Sequence, residues 1–136
     1  MGFNFNSAIC TSREQSERLL ALGLKKETAD MHYALIKQAG YPEWDYFLMP
    51  SPITNDTFDS IPAWSLHRLI EMMPQIIGHL ELAVNDGFVG YYEDRCESET
   101  GMYWEHTEES SNLYDNIIFT VEWLIKKGYF NKKHLV

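Results

Sequence analysis

The hydrophobic period of the chain changes from Gln75 onward, and this change limits the possible folds more than any other feature of the sequence. Residues 79–84 alternate between polar and apolar side chains, and residues 88–92 resume the alternation. Residues 85–87 (Asn-Asp-Gly) separate the two stretches, and these residue types tolerate the backbone conformations of tight turns. The pattern predicts a β-hairpin, and residues 101–107, which alternate again, would add a third strand.

A first helix is predicted near the amino-terminal end. Residues 11–14 (Thr-Ser-Arg-Glu) have the form of a capping box, in which the threonine hydroxyl caps the first turn and Glu14 returns the bond. Gly23 supplies the left-handed residue that ends this helix. A short helical signal follows over residues 25–31, and residues 31–36 suit a continued helix or a strand equally.

Two further helices are predicted from apolar stripes with helical spacing. Ser60 would cap a helix that takes Pro62 in its first turn and ends at Pro74. Ser111 or Asn112 would cap the last helix of the chain. The stripe of this last helix consists of Leu113, Ile117, Val121, Leu124 and Ile125.

The order of these elements predicts the fold class. Residues 40–60 are rich in Gly, Pro, Asn and Asp and are predicted to form a loop, with a strand only at residues 44–49. Helices on both sides of a run of strands indicate the α+β class, with an antiparallel sheet of three to five strands packed against three or four helices. A length of 136 residues suits a single globular domain over residues 1–136, in which residues 1–9 would be a flexible N-terminal arm.

Charge is distributed unevenly along the chain. The net charge is −9, from 20 acidic and 11 basic residues, and residues 93–115 alone carry eight acidic and one basic side chain, or −7. Residues 116–136 carry +3. Nucleic acids and anionic membrane surfaces are therefore poor partners, because binding them requires clusters of Lys and Arg. No apolar run reaches the ~20 residues of a membrane helix, so no membrane partner is expected.

The sequence lacks signals for export and for cofactor binding. Residues 1–7 have neither the basic start nor the apolar centre of a secretory signal, so we predict a cytoplasmic protein. Cys10 and Cys96 are 86 positions apart and form neither a redox motif nor a zinc knuckle, so both thiols are expected to be free. Because the known nucleotide-binding and nucleophile motifs are also missing, we predict no cofactor.

The acidic stretch has two interpretations. It can be a solvated loop that keeps the protein soluble, or its residues 93–109 can form a face that docks a basic protein surface. Aromatic residues among the carboxylates, Tyr92 included, would anchor such a contact, although aromatic residues of strands also form cores. The candidate contact residues are Tyr91, Glu93, Asp94, Tyr103, Trp104, Glu105, Glu108 and Glu109.

A second hypothesis is a small metal-dependent or acid/base enzyme. His106 with Glu105 or Glu108 would supply weak candidates for metal ligands or for proton transfer, and a metal site would need a further ligand from elsewhere in the chain. His67 and Glu71 are four residues apart, which places them on one face of a helix as a ligand pair or, more simply, as a surface pair.

A third hypothesis is a DNA-binding regulator. Residues 12–39 have the outline of a helix–turn–helix, with two short helical signals around a glycine. The second segment carries acidic residues where a recognition helix would present Arg, Lys, Asn or Gln, which disfavours this hypothesis.

Five segments of the chain resemble a known group of proteins. They are residues 14–16 (Glu-Gln-Ser), 19–24 (Leu-Leu-Ala-Leu-Gly-Leu), 28–31 (Thr-Ala-Asp-Met), 61–66 (Ile-Pro-Ala-Trp-Ser-Leu) and 123–129 (Trp-Leu-Ile-Lys-Lys-Gly-Tyr). Together they resemble a family of small uncharacterised proteins that prophages and mobile elements of gut anaerobic bacteria encode.

The resemblance spans residues 11–74 and 113–130, and its motifs are packing and capping residues. It implies a phage or mobile-element context, assigns no activity and transfers no catalytic residue. The leading prediction is therefore a non-enzymatic accessory protein that acts by protein–protein binding through the acidic, aromatic-containing face. The sequence leaves the partner and the oligomeric state open.

Overall fold

Helices and antiparallel strands together make up the described part of the chain. The computed structural model describes residues 8–53, 59–85, 87–95 and 101–136, and these residues contain three α-helices and seven strands. The α+β class with antiparallel pairing is confirmed. The strands are divided between a three-stranded and a four-stranded sheet, whereas one sheet was expected. The predicted flexible arm lies mostly outside the described residues.

The chain divides into two compact units, Met1–Arg68 and Leu69–Val136. The first unit contains α1 (Arg13–Ala21), a 3₁₀-helix (Lys26–Thr28) and the strands β1 (Met31–Ile36), β2 (Asp45–Met49) and β3 (Ser60–Ala63). β1 lies in the middle of this sheet, and both neighbours run antiparallel to it. α2 (Leu66–Met72) includes the boundary between the units.

The capping box of α1 lies one residue later than predicted. Ser12 Oγ accepts a hydrogen bond from the Gln15 backbone N–H at 3.2 Å, and Gln15 Oε1 accepts one from the Ser12 N–H at 2.9 Å. The assignment of the cap to Thr11 and Glu14 is therefore wrong, because Thr11 is fully buried. Its hydroxyl instead accepts a bond from the Trp64 backbone N–H at 3.1 Å.

The helix predicted from Ser60 begins only at Leu66. Ser60–Ala63 forms β3, and Pro62 is tolerated there because an edge strand has one side without ladder partners. Ser65 takes the role predicted for Ser60, since its Oγ accepts a hydrogen bond from the Arg68 N–H at 3.1 Å. The prediction was wrong because the apolar residues of this short strand continue the helical spacing of α2.

The helix–turn–helix hypothesis for residues 12–39 is also wrong. α1 and the left-handed Gly23, at a φ of 104°, follow the prediction. The second helical signal is only the 3₁₀-helix Lys26–Thr28, and the ambiguous residues form the central strand β1. A recognition helix is thus replaced by an extended strand.

Trp64 connects three segments of the first unit. Its ring is fully buried, and Nε1–H donates a hydrogen bond to Thr28 Oγ1 at 3.0 Å. The Thr28 hydroxyl in turn donates to the Lys25 carbonyl at 2.6 Å. The Trp64 carbonyl accepts from the Thr11 N–H at 2.9 Å. Both polar groups of the Trp64 backbone and its indole N–H are therefore paired, as burial requires.

Cys10 lies beside this network as a buried free thiol. Its Sγ is 3.6 Å from the Tyr33 hydroxyl, and burial raises the pKa of the Cys10 thiol. Cys96, the other cysteine, lies outside the described residues.

The second unit contains a four-stranded sheet and the longest described helix. Its elements are β4 (Ile76–Ile77), β5 (Leu80–Val84), β6 (Phe88–Asp94), β7 (Met102–Glu109), α3 (Leu113–Lys127) and a 3₁₀-helix (Lys132–His134). The sheet order is β4-β5-β6-β7 with antiparallel neighbours throughout, which confirms the predicted hairpin and third strand. Asn85 Oδ1 accepts from the N–H groups of Gly87 and Phe88 and holds the hairpin turn.

α3 begins and ends as predicted and packs on β6 and β7. Asn112 is the N-cap, and its side chain accepts from the Asp115 N–H at 3.2 Å. Gly128 ends the helix at a φ of 77°. The stripe residues Ile117 and Leu124 are fully buried. None of the helices in the described part of the chain combines the length and apolar character that a bilayer crossing requires.

Thr28→Val is expected to destabilise the protein by about 1–3 kcal/mol, because it leaves the buried indole N–H of Trp64 without an acceptor. Trp64→Phe removes that N–H, so Thr28→Val is expected to cost clearly less in the Trp64→Phe background. Urea unfolding of the two single variants and the double variant measures this coupling. Strictly additive costs would contradict the role of the Trp64–Thr28 bond.

Candidate functional site

A β-bulge in β7 distributes the candidate residues over the two faces of the four-stranded sheet. Tyr91 of β6 pairs with His106 of β7, and the next residue, Tyr92, pairs with Trp104. Glu105 therefore has no residue opposite it. An extra residue of this kind shifts the alternation of side chains on its strand. Trp104 therefore shares a face with Tyr92, while His106 shares the other face with Tyr91.

The face that carries Tyr91 is covered by α3. The Tyr91 ring is fully buried and lies 5.7 Å from the ring of Trp123, centroid to centroid. Its hydroxyl donates to the Pro74 carbonyl at 2.6 Å, and burial raises the pKa of Tyr91. Tyr91 is thus a core residue and is not accessible as an interface anchor.

His106 lies on the same covered face. Its ring stacks on Trp123 with centroids 4.5 Å apart and planes at 19°, and its side chain is only 11% exposed. Nε2 is 3.4 Å from Glu108 Oε1, and the geometry leaves this nitrogen without a hydrogen-bond partner in the described part of the chain. Burial lowers the pKa of His106, while the Glu108 carboxylate opposes that effect. Burial therefore favours the neutral imidazole.

The structure brings together only one of the two residue pairs of the acid/base hypothesis. His106 and Glu108 are adjacent, whereas the Glu105 carboxylate accepts a hydrogen bond from the Tyr103 hydroxyl at 2.9 Å. A general base must reach the proton that it removes, and a buried, stacked imidazole has little access to one. Within the described ranges, no group of three or more His, Cys, Asp and Glu residues is placed to hold a metal ion.

Arg95 organises the carboxylates at the outer end of β6 and β7. It pairs with Glu93 at 3.2 Å, and its guanidinium carbon lies 3.9 Å from the centre of the Tyr103 ring. The hydrogen bond and the charge of Glu105 raise the pKa of Tyr103. Glu93 and Glu105 are therefore already engaged with neighbours of their own unit.

The opposite face of the sheet, which we call the open face, carries three aromatic rings in a row. Trp104 lies between Phe88 and Tyr92, with centroids 5.3 Å and 5.2 Å away. All three rings are half-buried. Gly90 lies opposite Thr107 below these rings, and a Cβ at this position would clash with the His106 carbonyl and approach Trp104 to 3.2 Å. Because Gly90 has no side chain, the Trp104 ring can pack against β6 at this position.

Carboxylates surround the aromatic row of the open face. Glu109 is paired with Phe88 across the strands, Asp94 lies two residues beyond Tyr92, and Glu81 accepts a hydrogen bond from the Tyr92 hydroxyl at 3.2 Å. All three acidic residues are exposed. Two exposed apolar side chains, Ile76 at 66% and Met102 at 41%, extend the same face.

Of the predicted contact residues, the structure places Trp104, Asp94 and Glu109 together on the open face. Sequence reasoning missed Phe88 and Glu81, although the alternation of the hairpin already assigns both to the face of Tyr92. His67 and Glu71 are exposed residues on α2.

Comparison of the chain with protein-family models, with curated proteins and with solved structures finds no match. The geometry of the described residues therefore carries the functional argument.

Gly90→Ala is expected to destabilise the protein by about 1–3 kcal/mol, because the added methyl group forces the backbone of β7 or the Trp104 ring to move. Urea unfolding measures the loss, and the Trp104 indole resonance in an NMR spectrum reports the displacement. Gly87→Ala is the control in the same hairpin, since among the described residues beyond its chain neighbours a Cβ there would meet only Asn85 Oδ1, at 3.8 Å. Equal effects of the two variants would contradict the close approach.

His106→Phe is expected to make stability less sensitive to acid. The unfolded chain binds a proton on His106 more readily than the folded protein, so protonation destabilises the native state as pH falls through the ordinary histidine value of about 6.5. Phenylalanine keeps the stacking on Trp123 and cannot titrate. Urea unfolding at about pH 7.5 and about pH 5.5 is expected to show a smaller loss of stability for the variant, and identical losses would overturn this account.

Proposed function

We propose that this chain is a non-enzymatic, cytoplasmic accessory protein of the phage or mobile-element type that binds a basic surface of another protein through its open face. The observation that carries the proposal is the half-buried row of Phe88, Trp104 and Tyr92 with exposed carboxylates around it. The resemblance to prophage proteins supports the context, and the geometry supports the mode of action.

The aromatic row supplies apolar contact area at a low entropic cost. Trp104 contacts a ring on each side, which restricts its rotamers before any partner binds. Aromatic side chains held in this way lose little conformational freedom on association, and Trp and Tyr are enriched among the residues that dominate binding energy. Arg side chains of a partner would also stack on the exposed ring faces.

The carboxylates around the aromatic row would orient an approaching partner and select it by charge. Glu81, Asp94 and Glu109 are exposed, so their charges act on an approaching partner with little prior desolvation cost. Complementary charges at the edge of an interface mainly raise the association rate and exclude partners of the same sign. The net charge of −9 strengthens this selection at long range.

The acid/base alternative has weaker support. His106 lies beside Glu108 but is stacked on Trp123 and only 11% exposed, and Glu105 is engaged with Tyr103. The contact surface proposed here accordingly omits His106, Glu105 and Glu108 and centres on Trp104.

An octa-arginine peptide serves as a probe for the open face. Trp104→Leu is expected to weaken its binding by more than about tenfold, because truncating a Trp anchor typically costs about 2 kcal/mol or more. The double variant Asp94→Asn/Glu109→Gln is expected to weaken it severalfold and to reduce its salt dependence between about 50 mM and about 300 mM NaCl. Isothermal titration calorimetry gives the affinities, and NMR shifts locate the contact.

A matched double variant distinguishes the effect of the open-face carboxylates from the effect of the net charge of the chain. Glu14→Gln/Glu17→Gln removes two exposed carboxylates of α1 and changes the net charge by the same amount. It is expected to bind the peptide nearly as well as the unmodified protein. Equal weakening by both double variants, or NMR shifts away from β5–β7, would refute binding through the open face.

A further inference from the structure

The first unit contains a cavity formed by β2 and the segment that precedes it. Its volume is about 690 Å³, within the range of small-molecule sites in proteins. Asp45 and Phe47 are two residues apart and lie on one face of β2. The rest of the wall comes from residues on both sides of the turn at Gly40. The lining residues are Gln38, Tyr41, Pro42, Glu43, Trp44, Asp45 and Phe47.

The lining combines three aromatic rings with two carboxylates. Tyr41 and Trp44 are 65% and 61% exposed although they are large and partly apolar. Leaving two such rings in water on one short segment opposes the hydrophobic effect. A ligand that covers them would recover this free energy, which points to a binding role for the cavity.

The same chemistry indicates the charge of the ligand. The aromatic faces carry negative electrostatic potential, and Glu43 and Asp45 add two formal negative charges to the wall. An anion would be repelled by both kinds of group. A neutral apolar ligand would gain no charge attraction from Glu43 or from Asp45, whose Oδ1 also accepts a hydrogen bond from the Tyr46 N–H at 2.8 Å. A cation with an apolar, weakly hydrated surface is attracted by the aromatic rings and by the carboxylates, and quaternary ammonium groups are recognised in this way by aromatic cages.

We propose that the cavity of Tyr41, Trp44 and Phe47 binds a trimethylammonium group, with Glu43 and Asp45 providing charge compensation. The volume exceeds that of a trimethylammonium group, so the cavity has room for part of the body that carries the group. That body is either a small molecule or the side chain of a trimethylated lysine. This site shares no residue with the open face, and the proposal does not rest on the proposed partner binding.

Choline and its neutral isostere 3,3-dimethyl-1-butanol test the proposal, because they have nearly the same shape and differ in charge. Calorimetric titration of the full chain is expected to show choline binding at least about tenfold more tightly than the alcohol, as expected when several cation–π contacts act together. A short peptide that contains trimethyl-lysine, compared with the same peptide unmodified, is the second arm. Binding of choline identifies a small molecule as a sufficient ligand, and binding of the modified peptide alone identifies a protein side chain.

Variants connect the binding to these residues. Trp44→Leu keeps an apolar side chain and removes the π face, so choline or the modified peptide is expected to bind about tenfold more weakly, while the thermal unfolding midpoint stays unchanged at this exposed position. Glu43→Gln is expected to weaken binding severalfold. Glu17→Gln, on the exposed surface of α1, is the control and is expected to leave binding unchanged. Failure of both cationic probes to bind, or equal binding of choline and the alcohol, would overturn the proposal.

Discussion

The surface chemistry of the second unit depends on one extra residue in β7. Because Glu105 has no residue opposite it, the alternation of side chains shifts between His106 and Trp104. Without the bulge, both rings would occupy the face that α3 covers. With it, His106 stacks on Trp123 in the interior and Trp104 joins Tyr92 on the open face. A bulge costs ladder hydrogen bonds, and here it places an aromatic ring on the open face.

Buried polar side chains have hydrogen-bond partners in both units, and among the described residues Nε2 of His106 is the exception. In the first, the indole N–H of Trp64 and the backbone groups around it all have partners, which favours one arrangement of the segments that they join. In the second, Nε2 of His106 is held 3.4 Å from the Glu108 carboxylate. Such a group is tolerated because the imidazole can remain neutral and because its ring gains stacking contact with Trp123. Burial lowers the pKa of His106, which favours this neutral form.

Aromatic and acidic residues occur together in both units, but their shapes suit different ligands. On the open face, Trp104 and Glu109 lie on a sheet, where flat and extended contact with a protein surface is possible. In the cavity beside β2, Trp44 and Asp45 belong to one concave wall. Concave aromatic walls surround a small cation on several sides, whereas a sheet face contacts it on one side only. The same composition therefore supports two distinct proposals.

Local patterns in the sequence determined the elements whose stabilising contacts are local. The β5–β6 hairpin follows from its alternation and turn residues, and α3 follows from its stripe and its caps at Asn112 and Gly128. The start of α2 was mispredicted because Ser60–Ala63 is a strand only by pairing with the distant β1. Tertiary structure alone decided that the strands form two sheets and that Tyr91 is buried while Trp104 reaches the surface. Sheet pairing and bulges join residues that are far apart in the chain, so no short window of sequence contains the information that places them.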